Sequence, residues 1–420
     1  PRSTLFPYTT LFRSKDSGIE WIGEIPEHWE VKKINYCFSQ IGSGTTPIAG
    51  KTEYYENGEF NWLQTGDLTN DEIVETSKRI TQKALDEYST LRFYPVDSVV
   101  IAMYGATIGK TGILKIESTT NQACCVLAKP KDFISKYAFY CFNSMKEHII
   151  SLSYGGGQPN ISQELIRNLR IQIPLISEQT TIASFLDRKT AEIDQIIAKK
   201  QKLIALYEEE KQAIINQAVT KGLDPNIKLK DSGVEWLGEI PEGWEVKKLK
   251  YIIKVNSGEG IKSEDIKPVG DFPVYGGNGI VGYTNTFNSK DDDIIIGRVG
   301  AKCGNVRLVS GEKWISDNAL VATAISDTDI YFLTIQLQLM DLNNMANQNA
   351  QPLITGTMVK NSFIAVPNKN EQIEIVKFLN SECSQIETII SKFNKQIDLL
   401  QEYRTTLISE VVTGKIKVCE

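Results

Sequence analysis

The chain has 420 residues, enough for two or three domains, and 41% of them are hydrophobic and 23% charged, as in ordinary globular proteins. The formal net charge of −6 argues against a protein that binds nucleic acid through general positive charge, so any DNA contact must come from local basic patches or from a basic partner. No run of about 20 apolar residues occurs, which predicts no membrane span. Two histidines argue against His-based catalysis or a metal site, and seven cysteines without a C-x-x-C spacing predict reduced, cytosolic thiols.

The first segment of the chain has no counterpart later in the sequence, and it is followed by a motif that occurs twice. Residues 1–14 lack the apolar stretch of a signal peptide, and we expect them to be a non-native or disordered leader. Residues 16–34 read DSGIEWIGEIPEHWEVKKI and residues 231–249 read DSGVEWLGEIPEGWEVKKL, with 15 of 19 positions identical. We interpret the two tryptophans of each copy as packing anchors. The duplication predicts two homologous halves, each beginning with this opening motif.

A variable block follows each opening motif, and the first block is 22 residues longer than the second. Both are rich in Gly, Asn, Thr and β-branched residues, which predicts β-rich domains with some helix. Residues 99–114 align with residues 294–309, each as a strand, a glycine turn and a returning strand. The turn GATIGKT is not a phosphate-binding loop, because three residues rather than four separate Gly105 from Gly109. We interpret it as a hairpin.

Each half ends in a long helical segment, residues 178–220 and 371–413, with a constant offset of 193. Neither segment contains Gly or Pro, and the apolar residues alternate at spacings of four and three, as in a coiled-coil seam. We expect the two helices to bury their seams against each other; the alternative is two amphipathic helices, each packed on its own domain. The seam residues are Leu186, Ile193, Ile197, Ile204, Tyr207 and Ile214 in the first helix, and Leu379, Ile386, Ile390, Phe393, Ile397, Leu400 and Leu407 in the second.

The sequence lacks the glycine motif and the N/D-P-P-Y/F tetrapeptide of methyltransferases, and it lacks H-E-x-x-H. Duplicated domains without catalytic motifs fit recognition better than catalysis, so polar and aromatic loop residues are the candidate DNA contacts. Ordinary turn chemistry is the alternative for each of them. The candidates are Ser43, Thr45, Thr46, Tyr54, Tyr55, Gln64, Thr65, Tyr104, Thr107, Lys110 and Tyr154 in the first block, and Ser257, Lys262, Tyr275, Asn278, Tyr283, Arg298 and Lys302 in the second.

Several motifs together resemble the specificity subunit of type I restriction-modification enzymes. They are the paired W-x-G-E-I-P-x-x-W, the SGTTP at 43–47, the GATIGK turn, the Q-P-x-I turns at 158–161 and 351–354, and the EQ-x-x-I starts of the long helices. The resemblance covers residues 15–420 and implies an α+β fold. In it, two β-rich target recognition domains form a pseudo-two-fold repeat and are separated by two long antiparallel coiled-coil helices. The implied boundaries are 15–172 for the first recognition domain, 173–222 for the first helical spacer, 223–230 for a linker, 231–365 for the second recognition domain and 366–420 for the second spacer.

The resemblance also implies a function. Each recognition domain would read one half of a bipartite, gapped target in double-stranded DNA. The scaffold would bind two modification subunits, which supply S-adenosylmethionine chemistry on adenine, and restriction subunits, where present, would supply ATP- and Mg-dependent translocation and cleavage. This chain would be a cytoplasmic, non-catalytic protein without a cofactor, a metal or a membrane partner. The alternatives are a catalytic chain with built-in recognition, a coiled-coil adaptor without a DNA function, and an inactive allele.

Overall fold

Two compact units make up the computed structural model, which describes residues 13–153, 159–300, 303–346 and 352–418. Unit 1 comprises Pro1–Lys200 and Lys395–Glu420, and unit 2 comprises Gln201–Asn394. Each unit therefore contains one variable block, one opening motif and part of each long helix. None of the helices within the described ranges is both long and apolar enough to cross a membrane.

Apart from the two long helices, the elements are short strands and short helices. The strands are β1 (Ser14–Asp16), β2 (Glu24–Pro26), β3 (Glu30–Lys33), β4 (Phe38–Gly42), β5 (Phe60–Leu63), β6 (Asp71–Ile73), β7 (Arg79–Ile80), β8 (Val99–Ala102), β9 (Thr111–Leu114), β10 (Thr119–Thr120), β11 (Cys124–Pro130), β12 (Arg170–Ile173), β13 (Leu229–Asp231), β14 (Glu239–Pro241), β15 (Glu245–Lys248), β16 (Ile253–Ser257), β17 (Phe272–Gly276), β18 (Gly279–Thr284), β19 (Asp293–Gly297), β20 (Val306–Val309), β21 (Trp314–Ile315), β22 (Ala319–Ala324) and β23 (Phe363–Val366). The helices are α1 (Ile34–Cys37), α2 (Gln82–Glu87), α3 (Ser135–Ser144), α4 (Lys146–Ser151), α5 (Gln163–Asn168), α6 (Ile176–Lys221), α7 (Ile330–Leu339), α8 (Gly356–Asn361) and α9 (Lys369–Val412).

Unit 1 is built on a five-stranded sheet of order β4-β11-β8-β9-β6, in which only β6 and β9 pair in parallel. Along β8, Val99 and Ile101 face one hydrophobic cluster whereas Val100 and Ala102 face another. Both faces of the sheet are therefore covered, which explains why the strand is apolar throughout instead of alternating. A smaller sheet of order β10-β5-β7 lies in the same unit.

Unit 2 repeats this plan with a four-stranded sheet, β16-β22-β19-β20, and a small sheet of order β18-β17-β21. In each small sheet the central strand pairs in parallel with the strand that follows the hairpin, β10 in unit 1 and β21 in unit 2. Unit 1 additionally contains β6 and α2, which supply part of the extra length of its block. The predicted hairpin is confirmed in both copies, as β8–β9 and β19–β20.

The two long helices pair with each other in antiparallel orientation. In unit 1, Asp194 of α6 forms an ion pair of 3.0 Å with Arg404 of α9. In unit 2, the rings of Tyr207 and Phe393 lie 6.0 Å apart, and later along α6 Lys211 forms an ion pair with Glu387, earlier along α9. All the seam residues predicted above are buried or half-buried. The paired seam is confirmed, and the alternative of separately packed helices is wrong.

Buried glutamines at equivalent positions join each long helix to its own block. In unit 1, Gln179 donates to the Pro174 carbonyl (3.0 Å) and accepts from the Ile134 amide (2.8 Å) at the start of α3. In unit 2, Gln372 makes the same pair of bonds, to Pro367 (2.8 Å) and from Asp329 (2.7 Å). Each amide satisfies two backbone groups that burial would otherwise leave unpaired.

The second tryptophan of each opening motif packs against the same helix starts. The indole N–H of Trp29 donates to Glu178 (3.5 Å) and that of Trp244 donates to Glu371 (2.9 Å). Both rings are buried. The interpretation as packing anchors is confirmed for Trp29 and Trp244, and Trp21 and Trp236 are half-buried against the hydrophobic cores of their units.

Candidate nucleic-acid interface

In unit 1, β4 is followed by residues 43–48, which we call the tethered loop because each of them is hydrogen-bonded to another part of the unit. Each of its six residues forms a hydrogen bond with a side chain elsewhere in the unit, with donor–acceptor distances of 2.5–3.2 Å. The pairs are Ser43 with Gln163, Gly44 with Thr120, Thr45 with Trp62, Thr46 with Gln122, Pro47 with Tyr55 and Ile48 with Tyr88. A loop held in this way keeps one conformation and loses little entropy when a ligand binds.

Unit 2 builds the start of the same loop with different side chains. A Cβ atom added to Gly44 would lie 1.7 Å from the Thr120 carbonyl oxygen, and one added to Gly258 would lie 2.2 Å from that of Ser316. Only glycine fits such an approach of two backbones. The next carbonyl then accepts an indole N–H: Thr45 from Trp62 (3.1 Å) in unit 1, and Glu259 from Trp314 (3.2 Å) in unit 2.

An open cleft of about 640 Å³, which we call cleft 1, lies beside the tethered loop. Its lining combines hydroxyl, amide, aromatic and basic side chains: Thr46, Ala49, Thr52, Tyr55, Glu56, Trp62, Gln64, Ser77, Lys78 and Arg79. Lys78 and Arg79 are exposed, and neither forms an ion pair with any carboxylate that the structure describes. The cleft therefore offers two available cations beside groups that can hydrogen-bond to base edges.

The predicted DNA contacts of the first block lie at several places in unit 1. The structure brings Thr46, Tyr55 and Gln64 together in cleft 1. The hydroxyl of Tyr55 donates to the Pro47 carbonyl, and burial raises its pKa, so it stays protonated at neutral pH. Thr65 is half-buried in the turn that begins after Gln64.

Tyr54 requires a correction, because its side chain is a core residue and not a surface one. It is 1% exposed and packs with the ring of Tyr88 at 5.5 Å. Its hydroxyl donates to Glu87, and this bond, with burial, raises the tyrosine pKa. We therefore remove Tyr54 from the candidate DNA contacts.

The hairpin turn of unit 1 presents a second group of candidates. Tyr104 is exposed and its carbonyl accepts from the Thr107 hydroxyl (2.8 Å), which closes the turn. Lys110 is half-buried at the end of the turn. Gly105 and Gly109 both adopt positive φ, +64° and +74°, as the hairpin interpretation requires. Tyr154 lies outside the described residues.

Unit 2 contains a smaller cleft of about 480 Å³, which we call cleft 2. Its lining includes Lys262, which the sequence singled out, with Lys267 and Trp314, which it did not. The complete lining is Gly260, Ile261, Lys262, Asp265, Lys267, Thr284, Asn285, Thr286 and Trp314.

The other candidates of the second block are spread over the loops and strands. The Arg298 guanidinium donates to the Ser257 hydroxyl (3.1 Å), so these two are brought together. Asn278 accepts a hydrogen bond from the Asn305 side chain (3.1 Å). Tyr275 and Tyr283 are half-buried on β17 and β18. Lys302 lies outside the described residues.

Sequence reasoning missed Lys78, Arg79, Lys267 and Trp314. The adjacent Lys78 and Arg79 form a basic doublet that follows an acidic stretch containing Asp71, Glu72 and Glu75, and this reversal of charge could have identified the first pair. Nothing local marks Lys267 or Trp314, since only the pairing of β17 with β21 places the indole beside its loop. Across the described ranges, no group of three or more His, Cys, Asp or Glu side chains could hold a metal ion.

Comparisons with known proteins give one consistent result. The family model for the type I restriction modification DNA specificity domain matches residues 26–206 and 241–399, once in each half. The type I restriction enzyme MjaIX specificity subunit of Methanocaldococcus jannaschii is 27% identical over 99% of this chain and 98% of its own length. The EcoprrI specificity subunit of Escherichia coli is 24% identical over 81% of this chain and 84% of its own length.

The fold is also found among solved structures. A chain from work on complex assembly and conformational transition of the type I R-M system matches with a TM-score of 0.75 at 13% identity. The match covers 93% of this chain and 99% of that one. The resemblance carried by the repeated motifs is confirmed, and because the family model covers most of both halves, the chain belongs to the type I restriction modification DNA specificity family.

Proposed function

We propose that this chain is the non-catalytic DNA-recognition subunit of a type I restriction-modification enzyme, and that each unit reads one half of a bipartite, gapped target. The observation that carries the proposal is the repetition of one loop geometry with different side chains around it. Gly44 and Gly258 make the same close backbone approach, whereas the clefts beside them differ in lining. A loop geometry that is the same in both units, beside clefts with different side chains, suits two domains that read different bases.

The proposed partners in the cytoplasm are two adenine methyltransferase subunits, which bind S-adenosylmethionine, and restriction subunits, where present, which use ATP and Mg. Leu206 of α6 and Leu399 of α9 occupy positions that differ by the repeat offset of 193, and they are 49% and 53% exposed. Two equivalent apolar positions on the long helices suit two copies of one partner. This chain would contribute no cofactor.

The lengths of α6 and α9 set the unread gap in this proposal. Inserting one heptad into both helices at facing positions preserves the seam and adds about 10.5 Å, or roughly three base pairs. The expected target keeps both half-sites and gains about three unread positions, as measured by sequencing methylated DNA. An unchanged gap in a soluble, methylating complex would contradict this role for the helices.

Modification-sensitive long-read sequencing tests the proposed function. DNA is compared from cells that express the methyltransferase subunit with and without this chain. The expected result is a chain-dependent methyladenine motif of two short halves around a fixed gap. A soluble, associated complex that adds no motif would refute the proposal, and lack of association would favour the adaptor alternative.

A further inference from the structure

We infer that cleft 1 divides DNA recognition between two groups: Lys78 and Arg79 hold the backbone of the first half-site, and Ile48 on the tethered loop contacts the 5-methyl group of a thymine. The inference rests on the proposed function and assigns roles to particular side chains within it.

The backbone of the basic pair is fixed. The Trp62 amide donates to the Lys78 carbonyl (3.2 Å), and Arg79 lies opposite Asn61 in the β5–β7 pair. A Cβ atom added to Gly58 would lie 2.7 Å from the Arg79 carbonyl carbon, so the two backbones are in close contact. Two exposed cations on a fixed strand suit the regularly spaced phosphates of a duplex.

Ile48 is the apolar side chain that the tethered loop exposes. It is 57% exposed, and in the sequence it lies between two residues that line cleft 1, Thr46 and Ala49. Its amide donates to the Tyr88 hydroxyl (3.2 Å), and the carbonyl before it accepts from Tyr55. The hydrogen bonds therefore hold this apolar group in a fixed position at the surface, where burial against a partner costs little conformational entropy.

The chemistry of base edges selects the partner of Ile48. Thymine is the base that presents an apolar group, its 5-methyl, in the major groove, where the other exposed groups are hydrogen-bond donors and acceptors. Aliphatic contact with that methyl distinguishes thymine from cytosine without a hydrogen bond. The basic pair makes no such distinction, because phosphates are identical at every step.

The division of tasks predicts two separable defects in the complex with its methyltransferase subunit. The double variant K78A/R79A is expected to reduce the dependence of log K on log salt by about two, with an unchanged methylation motif. The variant I48A is expected to keep the salt dependence but to accept any pyrimidine at one position of the first half-site. K83A is the matched control, since Lys83 lies in the same region but pairs with Glu53 at 2.8 Å.

Base substitution locates the methyl contact directly. Each thymine of the first half-site is replaced in turn by deoxyuridine, which removes only the 5-methyl group. One replacement is expected to weaken binding by wild type about fourfold, the factor for one buried methyl, and to leave binding by I48A unchanged. A first half-site without thymine, an equal uracil effect in I48A, or loss of methyltransferase association in I48A as its main defect would overturn the inference.

The outcomes separate this inference from the proposed function. A wild-type complex that reads no motif refutes both. A wild-type complex that reads a two-part motif, with K78A/R79A and I48A indistinguishable from K83A, refutes only the roles given to Lys78, Arg79 and Ile48.

Discussion

Unit 1 and unit 2 fix the same loop with a tryptophan from different strands. In unit 1 the indole comes from Trp62 on β5, which pairs with Thr119 of β10. In unit 2 it comes from Trp314 on β21, which pairs with Val274 of β17. The tryptophan therefore lies on the central strand of the small sheet in unit 1 and on the parallel neighbour of the central strand in unit 2. In both units its indole N–H donates to the loop. The comparison teaches that the loop position is the retained feature, and that the residues which hold it can change.

Of the features that the two units share, the close backbone approach at Gly44 and Gly258 should be the most sensitive to substitution. Gly44→Ala places a Cβ against a backbone carbonyl that cannot move alone, and a cost of about 3 kcal/mol in unit 1 is expected. Urea unfolding measures the loss, and methylation sequencing should show a degraded first half-site only. Gly258→Ala should degrade the second half-site only.

Gly50→Ala is the control for this pair, because a Cβ there has no atom within 4 Å. It should leave both stability and motif unchanged. If Gly50→Ala were as harmful as Gly44→Ala, the close approach would not be the cause.

Replacing the buried glutamines Gln179 and Gln372 should lower the free energy of unfolding equally in the two units. Gln179→Leu and Gln372→Leu each leave a buried carbonyl and a half-buried amide without a partner, at about 2 kcal/mol per variant. Hydrogen exchange should accelerate at the start of α3 in the first variant and of α7 in the second. A large difference between the two would break the equivalence of the units.

The indole bonds should show the smallest effect and a difference between units. Trp62 is buried and Trp314 is half-buried, so water can replace the lost donor only in unit 2. Trp62→Phe should cost about 1–2 kcal/mol and Trp314→Phe roughly 0.5 kcal/mol, measured by urea unfolding. A greater loss in Trp314→Phe would mean that burial does not decide the cost.

The fold was more predictable from the sequence than the site. The repeat, the hairpins and the paired helices follow from periodicity and duplication, and α6 and α9 begin and end within two residues of the predicted bounds. The site depends on pairing between distant strands, which no local pattern encodes. Tyr54 shows the limit: in sequence it is as polar and aromatic as Tyr55, yet one faces the core and the other lines cleft 1.

Exchange of the first variable block tests the central claim most directly, that each unit reads its own half of the target. Residues 35–172 are replaced by the corresponding block of a relative with a different target, and the methylated motif is determined by long-read sequencing. The account predicts a new first half-site with the second half-site retained. A change in both half-sites, in a complex that still assembles and methylates, would contradict independent reading by the two units.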